Sequence, residues 1–153
     1  MIADDRGQLA GGEAIPFGLL IFVVGTLLIA NAWAVVDAKF AVDASAQAAA
    51  RAFSETTASD YGTARERAIE VGQTTFAGYG RDPERVDIDL LDRPSDERPV
   101  TRCDRVTFEA QYVVPAINLP FIGGYGSGFT VTAIHARTVD PLRSGVQGEA
   151  TCL

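Results

Sequence analysis

The pattern of hydrophobic and polar positions changes character twice along the chain. Residues 14–36, AIPFGLLIFVVGTLLIANAWAVV, form an uncharged run of 23 residues between Glu13 and Asp37. As a helix rising about 1.5 Å per residue, the run reaches about 34 Å, enough to cross a hydrocarbon core of about 30 Å with modest tilt. Trp33 falls near one end, where an amphipathic ring favours the headgroup region. The run predicts a single transmembrane helix, with residues 1–13 as a short leader and residues 37–153 as a domain outside the lipid.

Beyond Asp37 the sequence AKFAVDASAQAAARAFSET contains neither Gly nor Pro, so the helix is expected to pass from lipid into water without a break. Ala34, Ala38, Ala41, Ser45, Ala48 and Ala52 recur at alternating steps of three and four. Such a stripe lets another helix approach closely, either from a neighbouring subunit or within this chain against its own sheet. After Ser59, Asp60, Tyr61 and Gly62, the spacing of Thr63 and Glu66 is that of a capping box. It predicts a second helix that ends at Gly78 and Gly80.

From there the period is two. Val86, Ile88 and Leu90 alternate with Asp87 and Asp89; Val106, Phe108, Ala110, Tyr112 and Val114 alternate with Thr107, Glu109 and Gln111; residues 129–139 make a third run. The first two are separated by a charged turn, DRPSDERPVTR, and the last two by PAINLPFIGGYGSG, in which Phe121, Ile122 and Tyr125 look exposed. The chain therefore reads as α+β, with a long N-terminal helix, a second helix and a small antiparallel three-stranded sheet of pilin-like layout.

A cleaved signal peptide is the rival to the anchor, because Ala30, Asn31 and Ala32, and again Ala32, Trp33 and Ala34, offer small residues at the spacing of a cleavage site. Against it, the leader MIADDRGQ carries two Asp and one Arg where a positive n-region is usual, and helical patterning runs through the candidate site. Charge does not orient the segment, since Arg6 precedes it while Lys39 and Arg51 follow it.

The net charge is −7, and residues 37–153 retain 17 acidic against 12 basic side chains, a balance that opposes nucleic acid. With His135 as the single histidine, neither a His-based metal cluster nor a Ser/His/Asp set can be assembled. Asp87, Asp89, Asp92, Asp96 and Glu97 match no calcium loop, and strand alternation explains two of them. The glycine-rich residues 123–128 do not open a helix, so they lack the setting of a phosphate cradle. The reading is of a non-enzymatic protein without cofactor or metal. Cys103 and Cys152 share one compartment; outside the cytoplasm they can pair across a loop of about fifty residues, and otherwise they are two free thiols.

Glu13 stands at the threshold of the apolar helix, where a carboxylate is costly if it enters lipid unpaired. It is either a first-turn acid favoured by the helix dipole or an assembly residue paired with the N-terminal amine of a neighbouring subunit. Arg6 and Gly7 before Glu13, Pro16 in the apolar helix, the small residues through Ala52, and the patterns at 113–115 (VVP), 119–121 (LPF), 130–133 (TVTA) and 139–145 (VDPLRSG) resemble the TadE/TadF-like minor pseudopilins.

The resemblance implies a structural or assembly subunit of a tight-adherence (Tad or Flp) pilus or a related secretion apparatus. It implies a bacterial inner-membrane location with the C-terminal domain outside, and partners among other pilus subunits and a membrane assembly platform. It also implies trimming after a glycine, for which Gly7, Gly11 and Gly12 are the candidates, and an assembly role for Glu13 with Ala38, Ala41 and Ser45. The family's acid commonly lies five positions beyond the cleaved glycine, whereas Gly7 puts Glu13 at mature position six. The other functional class is a membrane-anchored extracytoplasmic binding module, whose 121–128 loop contacts a ligand or cell-wall component.

Overall fold

A computed structural model describes residues 14–92, 94–116, 126, 128–149 and 151–152. Helix α1 (Ala14–Glu55) is continuous over 42 residues, about 63 Å at the usual rise. Helix α2 (Tyr61–Gly78) folds back along its upper half, and a single 3-10 turn (Pro83–Arg85) leads into the sheet. Strands β1 (Val86–Leu90), β2 (Arg105–Val114) and β3 (Phe129–Thr138) form an antiparallel sheet in the order β1-β2-β3. Val86 faces Tyr112, Arg105 faces Thr138, and Val114 faces Phe129. The expected α+β layout of two helices and a three-stranded meander is the observed one.

Alternation along β1 and β2 puts Val86, Ile88, Leu90, Val106, Phe108, Ala110, Tyr112 and Val114 on one face, all buried. The upper half of α1 lies across that face, with Ala38, Ala41, Val42, Ser45, Ala46, Ala49, Ala50 and Phe53 inside. Small residues are needed there because two elements crowd the same helix: a Cβ added to Gly72 of α2 would meet Ser45 O at 3.2 Å, Ala49 Cβ at 3.3 Å and Ile88 Cδ1 at 2.7 Å. The larger rings fill the space the alanines leave, with Phe53 5.1 Å from Tyr61 and 5.9 Å from Phe108, and Phe76 5.1 Å from Tyr112.

Two local expectations are corrected. Helix α2 starts before the Thr63 and Glu66 spacing, because the Asp60 carboxylate accepts the Thr63 N–H at 2.8 Å and so acts as the N-cap. That backbone bond, foremost among several, holds the Asp60 carboxyl below its ordinary range. The connection between β1 and β2 is also more than a solvated turn: Val100 is buried, Tyr61 N–H donates to Arg98 O at 2.9 Å, and Val100 N–H donates to Ser59 O at 3.1 Å. Its polar sequence hides a short segment pinned across the start of α2. Burial, seconded by Asp104, pushes the Tyr61 hydroxyl up to about 12.

Candidate functional site

The feature that separates this molecule from an ordinary α+β domain is the lower half of α1. Ile15, Phe17, Phe22, Ile29 and Trp33 are each 65–73% exposed, and Leu19, Leu20, Ile21 and Leu28 are more than half exposed. Water does not tolerate a helix that is apolar all round. The run is long and apolar enough to cross a membrane. Its polar side chains are turned inward onto the helix itself: Thr26 Oγ1 donates to Phe22 O at 2.8 Å and Asn31 Nδ2 to Leu27 O at 2.9 Å. Both bonds satisfy groups that lipid could not.

Three contacts fix the domain to α1 just beyond the run. Arg81 Nη2 reaches Asp37 Oδ2 at 2.6 Å, Lys39 Nζ donates to Thr132 O on β3, and His135 Nε2 lies 3.1 Å from Asp43 Oδ1. None was foreseen from the sequence, since the partners lie 44, 93 and 92 positions apart and local periodicity carries no trace of them. Arg81 and Arg85 also stand over the Tyr112 ring, at 5.4 and 5.7 Å from its centroid. The foot of the domain is therefore held at the point where charge first appears on the helix, with no free linker between.

Ala38, Ala41 and Ser45 are 0% exposed, and what covers them is the chain's own second helix and sheet. Direct contact of these three with a neighbouring subunit is thereby corrected, because no surface of theirs is left to offer. Ser45 donates to Ala41 O at 2.8 Å, which removes its hydroxyl from the crossing as a polar cost. Cys103 and Cys152 form a disulfide with Cα atoms 5.3 Å apart. It ties the tail to the turn before β2, where Arg102 N–H also donates to Gln147 O at 2.7 Å and Arg143 Nη1 to Ser54 O at 2.5 Å.

Glu13, Gly7, Gly11 and Gly12 lie outside the described residues, as does the 121–128 loop apart from Gly126 and Gly128. Asp87 and Asp89 occupy the exposed face of β1, and among the described residues no group of three or more His, Cys, Asp or Glu is placed to hold a metal ion. At the far end of the domain a cavity of about 320 Å³ lies between Ser59, Val100 and the 143–147 segment. No model of a protein family, no curated protein and no solved structure matches the chain.

Proposed function

We propose that this protein is a membrane-anchored structural subunit, a minor pseudopilin of a Tad-like pilus or a related secretion apparatus, rather than an enzyme. The observation that carries the reading is the single helix α1, apolar and exposed below Asp37 and packed under an antiparallel sheet above it. An anchor of this build transmits position: a force on the domain is borne by an unbroken helix rather than a flexible tether. The disulfide supports a domain outside the cytoplasm, where such bonds persist. The resemblance at residues 113–115, 119–121, 130–133 and 139–145 supports the pilus system in particular.

In this reading Glu13 pairs with the N-terminal amine of an adjacent subunit as the helix joins an assembly, offsetting the cost of a carboxylate at the lipid boundary. The test is co-purification from membranes with the secretion ATPase platform and the other pilus subunits. Glu13→Ala is expected to insert and fold but to lose those partners. Undiminished complexes from Glu13→Ala would leave the residue a first-turn acid only, and failure of the unaltered chain to co-purify would remove the pilus assignment.

A further inference from the structure

On the β3 side, the domain does not stop where the charged part of α1 begins. Lys39 meets Thr132 O and Asp43 meets His135, so β3 runs beside α1 in the same direction. Phe129 stands three residues before Thr132, about 10 Å lower along a strand, which brings it level with the helix at residues 32–35. An apolar groove of about 470 Å³ lies there, lined by Leu28, Asn31, Ala32, Val35, Val36 and Phe129. Every helical residue in that lining belongs to the uncharged run. Leu28, Val36 and Phe129 are each about half exposed, at 51, 47 and 44%, and Asn31 turns its amide to Leu27 O.

We propose that this groove takes an acyl chain from the adjoining leaflet, so that the β3 edge of the domain is immersed in lipid instead of standing above it. The inference rests on the membrane-anchor reading and deepens it. Continuity is the first argument: the groove opens from the same helical surface that the anchor presents to lipid. A run of about 34 Å exceeds a core of about 30 Å by only two or three residues, so the level of Phe129 lies at or inside the hydrocarbon boundary. Charge placement is the second. The described residues at this end of β2 and β3, Val113, Val114, Pro115, Ala116, Gly128 and Phe129, carry no charge, whereas the opposite rim carries Arg81, Asp82, Glu84 and Arg85, with Arg81 held at the level of Asp37. One rim is suited to hydrocarbon and the other to headgroups, which tilts α1 toward β3. Trp33 and Phe40, 73% and 64% exposed, flank the boundary as interfacial aromatics.

The experiment uses the full chain in phosphatidylethanolamine/phosphatidylglycerol vesicles whose acyl chains are brominated. In a Trp33→Phe background, a single tryptophan is placed by Leu20→Trp, Phe129→Trp or Leu142→Trp. Leu20→Trp reads the anchor, Phe129→Trp the groove, and the exposed Leu142 at the far tail serves as the aqueous control. Quenching by about half at Phe129→Trp, with little at Leu142→Trp, is expected for a ring among acyl chains. Quenching at Leu20→Trp without quenching at Phe129→Trp overturns the groove proposal and leaves the anchor standing; no quenching at Leu20→Trp overturns the anchor itself. The unaltered chain gives a second reading that no substitution can disturb: a phospholipid with a diazirine on its acyl chain should label Phe129 on illumination. Absence of label at Phe129 when residues of the 14–36 run are labelled contradicts the proposal.

Discussion

Ala41 shows at the scale of one residue how the molecule divides its helix. Its methyl is fully buried beneath the chain's own sheet, while Phe40, its neighbour in sequence, is 64% exposed. Leucine at 41 has to force apart a crossing already so close that Gly72 has no room for a Cβ. Ala41→Leu is expected to destabilise the domain by about 1–3 kcal/mol, read as a lower urea midpoint with unchanged slope for the detergent-solubilised chain. Phe40→Ser, on the open face, should move stability by less than about 0.5 kcal/mol. Equal stability of Ala41→Leu and the unaltered chain would mean that the alanine stripe packs outside this domain after all.

At the scale of elements, the tail beyond β3 has little secondary structure and depends on its attachments. The disulfide closes a loop of 49 residues. On the chain-entropy view its loss costs about 4 kcal/mol. Reduction, or the paired change Cys103→Ser with Cys152→Ser, is therefore expected to lower the urea midpoint and to release amide protection at Arg102; a midpoint that does not move would show the tail to be a passive appendage. The elements themselves were legible wherever one face is wet and the other dry, as in Val86, Ile88 and Leu90 against Asp87 and Asp89. The start of α2 was misread because two adjacent polar signals compete, and Asp60 wins by bonding the Thr63 N–H. The partner of the alanine stripe was not legible, since small residues suit a neighbour's helix and an internal sheet equally well. The three tethers of the domain to α1 were invisible because each joins residues brought together only by the completed fold. Of the candidate assembly site, a helix long and apolar enough to cross a membrane was plain from the absence of charge over residues 14–36, whereas the acid at its threshold was legible only through its position in sequence.

Across the whole molecule, one helix serves two solvents. Its upper half fills a core, while Ile15, Phe17, Phe22, Ile29 and Trp33 in its lower half stay exposed, a surface that the proposed anchor gives to the bilayer. A cleavage before Trp33 or Val35 would leave Ala38 and all that follows able to form the same core, so a soluble domain is a real alternative fate rather than an unfolded one. The most direct measurement is the N-terminal sequence and intact mass of the chain recovered after carbonate washing of membranes. A pelleted species that keeps residues 14–36 is the expected result; a soluble species beginning at Trp33 or Val35 would contradict the anchor and, with it, the pilus assignment.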